Sequence, residues 1–484
     1  MDRRTFLQAA SLLPAGALDA MAQQYEGQPA GHLVDAPPRN ARPNVIWILG
    51  DQFRAQALAC NGDANARTPN LDRAAANGVT FTNNLSGFPL CCSFRGSMLA
   101  SRYPHHCVPG HEYPLPAGQQ TIADVFNANG YRTAYFGKWH LGGFHERNGR
   151  AAFFITDPAR RGGFETWTGY ENNNSQWDCW VHGGAGSSAF HYRLPGYETD
   201  ELTNLLTGCV KDRAAERKSG TAKSFFAVLS VQPPHDPYVA PERFMANYNP
   251  ERLVLRPDVA HIPKLQQQVR LDLAGYYAMI ENLDWNYGRV VETLEQTGLL
   301  ADTHILFFAD HGDMHGSHGM LRKVCPYEES IRTPMILSGG VPRYAPWKNG
   351  RQPVPSNHVD IAPTTLVLCG IRKPDWMEGA DLSSYRIGGT PAGPGPDSAY
   401  LQSVVPTGQA DTLNTPYRGI VTRDGWKYVC FENHSWLQFN LNDDPYEEMN
   451  LAQLDRYRPE RKKLIARLRQ WGADTGDRFA IPED

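Results

Sequence analysis

The sequence has few cysteines, little excess of either charge and no long apolar run. Nine cysteines among 484 residues are too few for a disulfide-built scaffold, and no pair has the CxxC spacing of a thiolate zinc site or a redox dithiol. With 47 basic and 51 acidic residues the net charge is −4, which argues against a nucleic acid or an anionic membrane held by bulk electrostatics. No stretch reaches the roughly 18 apolar residues that a membrane span needs. What remains is an ordinary folded chain with 41% hydrophobic and 20% charged residues.

Residues 1–22 form a segment distinct from the rest of the chain. Arg3 and Arg4 precede a short, mildly apolar run that ends in Ala20-Met21-Ala22 before Gln23. This pattern predicts a twin-arginine export signal and a periplasmic or secreted protein, with an ordinary amphipathic helix as the alternative. Residues 23–43, where Pro and Gly are scattered among polar residues, predict a linker.

Strand-like and helical segments alternate along residues 44–387. Continuous apolar runs predict buried strands at 44–50, 131–136, 225–231, 305–309 and 334–338. Capping and periodicity signals predict helices that begin at Thr68-Pro69, at Thr121 and near Gln266 and end before Gly78, Gly130 and Gly298. Such alternation predicts an α/β fold, with a mostly parallel central sheet covered by helices on both faces.

The chain changes character after a stretch rich in Gly and Pro at residues 388–396. Short alternating runs beyond it predict antiparallel strands at 417–422, 426–432 and 436–440, and residues 460–471 predict a closing helix. We therefore predict a catalytic domain at 44–387 and a small C-terminal α+β domain at 388–484.

Polar side chains collect at the ends of the predicted strands, where sites form in open parallel sheets. Asp51 follows the first strand, and Asp310 with His311 follows a later one. These oxygen and imidazole donors could converge on one divalent cation if the two strands are neighbours. Taken singly, each such aspartate could instead cap a helix.

Residues 91–104, with the sequence CCSFRGSMLASRYP, resemble the signature of the sulfatase family. That signature is Cys-x-Pro-x-Arg followed by a helix that runs into a Gly-Arg-Tyr-Pro-like end, and counting back from Arg95 places its cysteine at Cys91. The resemblance extends over nearly all of the chain after residue 43. Further matching segments are 44–51, 68–72, 137–142, 232–235, 310–313, Lys323, 444–447 and 450–451. Each segment is weak evidence alone, but all of them in this order are specific.

The resemblance implies a sulfuric ester hydrolase with an alkaline-phosphatase-like fold. In that family a formylglycine-generating enzyme oxidises the signature cysteine, and the hydrated aldehyde is the nucleophile. The implied metal ligands are Asp51, Gln52, Cys91 as formylglycine, Asp310 and His311. The implied catalytic residues are Cys91, Arg95, Lys138, His140, His235 and Lys323. Arg95 and Lys138 would fix the hydrated aldehyde and His140 would take its proton. His235 with Lys323 would bind the sulfate and protonate the leaving oxygen.

Three positions depart from the family pattern. Gln52 stands where many relatives have a second aspartate, and a site of this composition without a thiolate predicts Ca²⁺, with Mn²⁺ or Mg²⁺ as alternatives. Ser93 replaces the proline that the modifying enzyme reads, which bears on the conversion of Cys91. Phe94 replaces a small polar residue, a change expected to affect packing more than chemistry. Without the motif around it, Cys91 would be interpreted as a buried inert thiol.

An insert at residues 163–196 is aromatic, rich in amides and poor in charge. It contains Trp167, Tyr170, Asn172, Asn173, Asn174, Gln176, Trp177, Trp180 and His182. Rings that stack on a sugar and amides that bond to its hydroxyls predict a sulfated carbohydrate as substrate, with a folded surface loop as the alternative. Two rival functions stay open. One is a phosphonate or phosphate ester hydrolase of the same superfamily, and the other is a non-catalytic periplasmic binder of sulfate esters, suggested only by Ser93.

Overall fold

A large mixed sheet forms the centre of the computed structural model, which describes residues 42–340, 349–387, 395–409 and 412–483. The predicted export signal, almost all of the predicted linker and most of the Gly/Pro-rich stretch therefore lie outside the described residues. From Arg42 onward the chain groups into one compact unit. Among the described residues, no helix combines the length and apolarity that crossing a bilayer requires.

The central sheet has ten strands. They are β1 (Asn44–Gly50), β2 (Val79–Leu85), β3 (Arg132–Lys138), β4 (Thr166–Tyr170), β5 (Trp180–Gly183), β6 (Phe190–Arg193), β7 (Phe225–Ser230), β8 (Thr303–Ala309), β9 (Met335–Gly340) and β10 (Gly350–Asn357). Their order is β10-β2-β9-β8-β1-β7-β3-β4-β5-β6. Strands β5 and β9 pair antiparallel with both of their neighbours, and the others share one direction. The predicted mostly parallel sheet is confirmed.

Helices cover both faces of this sheet. They are α1 (Pro69–Asn77), α2 (Cys91–Ala100), α3 (Ile122–Ala128), α4 (Glu198–Lys218), α5 (Glu242–Met245), α6 (Pro263–Gln296), α7 (Glu328–Ile331), α8 (Ile361–Leu368), α9 (Ser384–Ile387) and, near the C-terminus, α10 (Arg458–Thr475). In β1, Ile46 and Ile48 join a core with the apolar face of α6, whereas Trp47 joins a second core with Phe94 of α2 and other residues. Because both faces of β1 are covered, its sequence is a continuous apolar run.

A separate antiparallel sheet follows the main one. Its strands, in spatial order, are β11 (Ser398–Ser403), β12 (Tyr417–Thr422), β13 (Trp426–Phe431) and β14 (His434–Asn440). Leu464 and Leu468 of α10 pack with Tyr400, Ile420 and Tyr428 of this sheet. The predicted α+β character of the C-terminal region is confirmed, and β11 is a strand that the sequence analysis missed.

Candidate active site

Two of the predicted metal ligands, Asp51 and Asp310, come together because β1 and β8 are neighbours. These strands pair in parallel with Gly50 opposite Ala309, so the next residues, Asp51 and Asp310, leave the sheet side by side. Strand β7 lies on the other side of β1, and β3 lies beyond it, ending at Lys138. The carboxyl ends of four parallel strands therefore face one site, as the sequence analysis expected.

Cys91 is the first residue of α2, and its thiol lies within this group of strand-end residues. Its Sγ is 3.1 Å from Nε2 of His311, 3.3 Å from Nζ of Lys323 and 3.7 Å from Oδ1 of Asp51. The neighbouring Cys92 belongs to the apolar core, and its Sγ accepts a hydrogen bond from the backbone N–H of Glu112. Burial raises the pKa of the Cys92 thiol well above its usual value. The two adjacent cysteines thus have different partners, and the Cys92 sulfur also lies within 4.8 Å of ring nitrogens of His111 and His140.

Two basic side chains hold the carboxylate of Asp51. Its Oδ2 is 2.7 Å from Nζ of Lys138 and 3.0 Å from the guanidinium of Arg95, which also lies 3.4 Å from Asp310. Arg95 is fixed further by bonds to Ser230 Oγ and to the Lys138 carbonyl. Burial would raise the pKa of Asp51, but Lys138, His235 and Arg95 outweigh it and hold that pKa well below the usual range. Burial and the charge of Asp51 instead raise the pKa of Asp310 to about 6.

Four buried residues present possible metal ligands to a common point. The donor atoms of Asp51, Cys91, Asp310 and His311 all lie within 4.8 Å of one another. Nδ1 of His311 donates to the carbonyl of Gly312 at 3.0 Å, which leaves Nε2 with a free lone pair on the side of both carboxylates. Burial lowers the pKa of His311 to about 4, so its ring is neutral at pH 7. This donor set fits a divalent cation.

Gln52 lies next to these four residues, but its side chain is hydrogen-bonded to other groups. Its backbone N–H donates to Asp310 Oδ1, and its side-chain amide donates to Asp313 at 2.6 Å. Its amide oxygen accepts from Nζ of Lys323 at 3.0 Å. In this arrangement Gln52 links Lys323 to Asp313, and the predicted ligand oxygen is already bonded to an ammonium group.

His235, Lys323 and His140 complete the set of predicted catalytic residues. Lys323 donates to Nε2 of His235 at 2.9 Å, and His235 Nδ1 donates to the carbonyl of Asp236. Burial and the charge of Lys323 lower the pKa of His235 to about 3, so it is neutral at pH 7. His140 is 3% exposed, and its Nδ1 has no hydrogen-bond partner among the described residues. Burial and the charge of Lys138 lower the pKa of His140 well below its usual value.

These residues open into a cavity of about 520 Å³. Asn172 and Asn174 of the predicted sugar-binding insert line it. Lining residues that the sequence analysis missed are His111, Glu112, His145, Glu146, Arg147, Arg322, Thr407 and Gln409. They come from loops without a recognisable spacing, and Thr407 and Gln409 follow β11 of the second sheet, so no pattern in the sequence marks them.

The prediction that Trp177 and Trp180 of this insert stack on a sugar in the active site is wrong. Neither ring lines the cavity. Trp177 packs edge-on against Tyr197 and stays 46% exposed, while Trp180 packs against Phe153 and His191. Trp180 begins β5, which runs antiparallel to β4, so it lies at the same end of the sheet as the site but two strands beyond β3, next to the edge strand β6.

The fold and the site together fit an enzyme with a mostly parallel α/β sheet and a buried group of metal ligands at its strand ends, and comparison with known proteins makes this class specific. Residues 43–371 match the Sulfatase family, and residues 316–474 match the C-terminal region described for N-sulphoglucosamine sulphohydrolase. The chain is 32% identical over 463 residues to the ulvan-active sulfatase of Formosa agariphila, covering 92% of this chain and 84% of that protein. It is 28% identical over 460 residues to the choline-sulfatase of Rhizobium meliloti, covering 88% and 85%.

A solved structure agrees with these relatives. The Bacteroides fragilis protein yidJ, described as a sulfatase, matches with a TM-score of 0.79 at 26% identity over 92% of this chain and 98% of that one. This chain belongs to the sulfatase family and is a sulfatase enzyme. The resemblance found from the sequence is confirmed.

Proposed function

We propose that this sulfatase hydrolyses sulfate monoesters of carbohydrates, using formylglycine at position 91 and a divalent cation beside it. The net reaction adds water across the ester S–O bond and releases an alcohol and hydrogen sulfate. The observation that carries the proposal is the position of the Cys91 side chain. It starts a helix, where the dipole favours an anion, and it lies within 4 Å of His311, Lys323 and Asp51.

Asp51, Asp310 and His311 would hold the cation, with Ca²⁺ first and Mn²⁺ or Mg²⁺ as alternatives, and it would supply the positive charge that activates the nucleophilic oxygen. Lys138 and Arg95 keep Asp51 ionised through their contacts with its Oδ2. His140 is neutral, so it is able to accept a proton.

The opposite side of the site is suited to the sulfate and the leaving oxygen. Burial would lower the pKa of Lys323, but the charges of Cys91 and then of Asp51 and Asp310 outweigh it and raise that pKa. Lys323 contacts both Cys91 and neutral His235, and all three line the cavity. We assign to Lys323 and His235 the binding of sulfate oxygens and the transfer of a proton to the leaving alcohol.

Maturation would take place before folding is complete. Residues 91–95 are at most 2% exposed, so a formylglycine-generating enzyme would have to read them in the unfolded chain. Ser93 lies in the first turn of α2, where proline is tolerated because its amide has no partner one turn back. If Ser93 limits recognition by that enzyme, Ser93→Pro should raise the modified fraction without harming the fold. A mass spectrum of the peptide spanning residues 91–95 measures this, and an unchanged fraction would show that Ser93 does not limit the conversion of Cys91.

The lining of the cavity favours a neutral polyhydroxylated group around the sulfate. Asn172, Asn174 and Gln409 offer amides, and no Trp, Tyr or Phe ring among the described residues forms a cage for a quaternary ammonium group. Two of the acidic lining groups are paired, Glu112 with His145 and Asp236 with Arg322. The similarity to an ulvan-active sulfatase supports the same choice.

Steady-state kinetics with matched substrates test the proposal. We expect kcat/KM to be highest on a sulfated saccharide and lower on an aryl sulfate and on a phosphonate monoester. Asn174→Ala should reduce turnover of the saccharide more than that of the aryl sulfate, because binding energy remote from sulfur is used in the transition state. Asn204→Ala, on the exposed side of α4, is the control. Faster cleavage of the phosphonate, or equal losses on both sulfates, would reject the proposed substrate.

A further inference from the structure

A second group of possible metal ligands lies apart from the active site. It consists of Asp258, His318 and Glu329, whose donor atoms lie within 4.8 Å of one another. The side chains of Asp258 and Glu329 are each 1% exposed, and that of His318 is 17% exposed. None of the three lines the cavity above Cys91.

Several polar atoms of this group lack hydrogen-bond partners among the described residues. Both carboxylate oxygens of Asp258 and Nε2 of His318 are buried without a hydrogen-bond partner among the described residues. Arg256 is the nearby cation, with its guanidinium 2.6 Å from Oε1 of Glu329 and its Nε 3.4 Å from Oδ1 of Asp258. Unbonded buried carboxylates are costly, so the group needs a further positive partner.

The next basic side chain does not meet this need. Nζ of Lys427 lies 2.8 Å from Glu328 and 2.5 Å from Glu447, so its charge serves that separate pair. Among the described residues, Arg256 is therefore the one Arg or Lys in salt-bridge contact with the two carboxylates.

We propose that Asp258, His318 and Glu329 bind a second divalent cation of the Mn²⁺ or Zn²⁺ type. Two carboxylates and an imidazole with no thiolate form a mixed oxygen and nitrogen set, which these two ions accept. The burial of the group away from the cavity makes this cation structural rather than catalytic.

The position of the group explains what such a cation would do. His318 belongs to the segment between β8 and α7 that also carries Asp310 and Lys323, and its N–H donates to the carbonyl of Asp258 at 2.9 Å. The Gly312 N–H of the same segment donates to Ser330 of α7. A cation shared by three chain segments would fix this loop, and through it the ligands and Lys323 of the active site.

Metal analysis of the purified full-length protein tests the proposal. After exposure to Mn²⁺ or Zn²⁺ and removal of free metal, we expect the double variant Asp258→Asn/Glu329→Gln to hold one cation per chain fewer than the unaltered protein. The matched control is Asp284→Asn, another buried aspartate, which caps α1 through the amides of Asn70 and Leu71. That control should lose stability and keep its full metal content.

A thermal unfolding experiment tests the same proposal even if the double variant does not fold. In Asp310→Asn, which is expected to lack the active-site cation, chelator-treated protein should gain thermal stability when Mn²⁺ or Zn²⁺ is added. If neither ion raises its Tm and its metal content is zero, then Arg256 and a shared proton balance the group and the proposal is overturned. Neither measurement uses enzyme activity, so failure of the proposed sulfatase chemistry would leave this test unaffected.

Discussion

At the scale of single residues, the two adjacent cysteines are distinguished by where their side chains point. Cys91 contacts His311 and Lys323, whereas Cys92 is buried in the core beneath the first turn of α2. We predict that Cys91→Ala abolishes turnover and that Cys92→Ala retains most of it, because the oxygen of the proposed formylglycine would stand at position 91 and not at position 92. The measurement is kcat on a sulfate ester, with the mass of the 91–95 peptide as a check on modification. Activity lost in Cys92→Ala and kept in Cys91→Ala would show that the register is wrong.

Variants of Asp310 and Gln52 should distinguish a loss of metal binding from a loss of Lys323 positioning. Asp310→Asn removes a charge from the metal-type group, so metal and activity should be lost together. Gln52→Ala removes the bond that holds Lys323, so most of the metal should remain while kcat falls. Metal content and kcat measured on the same preparations give both readouts. Metal lost from Gln52→Ala would assign its amide oxygen to the cation, and metal kept in Asp310→Asn would assign Asp310 to acid–base chemistry.

Most motif residues of the site were predictable from sequence because they lie at a strand end, as Asp51, Lys138 and Asp310 do, or near the start of a helix, as Cys91 does. The cavity wall was not, since its residues come from loops. Glu112 lies there because it bonds to His145, and Gln409 lies there because the second sheet approaches the first. Such long-range contacts leave no local periodicity in the sequence.

At the scale of secondary structure, the strands that were missed share polar or proline-containing sequences. In β2 the buried Asn84 is satisfied by Thr333 and Ser356, partners far away in the chain. Strand β10 contains Pro353 and Pro355, which it tolerates because it lies at an edge of the sheet. The apolar strands β1, β7 and β8 were predictable because both of their faces are buried.

Asp477, just beyond α10, ties that helix to the second sheet. It accepts hydrogen bonds from Arg418 of β12 and from Tyr400 and Gln402 of β11. Burial would raise the pKa of Asp477, but the hydrogen bonds and charge of Arg418 outweigh it and lower that pKa to about 2. Since the folded pKa lies below the unfolded one, the stabilisation is fully present above about pH 4 and is lost as the pH falls toward 2.

We predict that Asp477→Asn lowers the free energy of unfolding at pH 7 by about 1 to 2 kcal/mol, after allowance for solvent screening. The difference from the unaltered protein should shrink as the pH falls from 4 to 3. Urea unfolding across this range measures it, and Asp474→Asn, an exposed residue of α10, is the control. A difference that does not change with pH would mean that packing, and not charge, is responsible.

At the scale of the whole molecule, the predicted export signal at residues 1–22 precedes Arg42, the first residue that the structure describes. A signal read by the export machinery should affect where the protein goes and not how it folds or reacts. We therefore predict that replacing Arg3 and Arg4 together by Lys keeps the protein in the cytoplasm. Its Tm, metal content and kcat after purification should not change. Cell fractionation with N-terminal sequencing gives the readout, and the exported form should begin at Gln23. If the Lys variant is still exported, or if the mature protein retains residues 1–22, the predicted export signal is wrong.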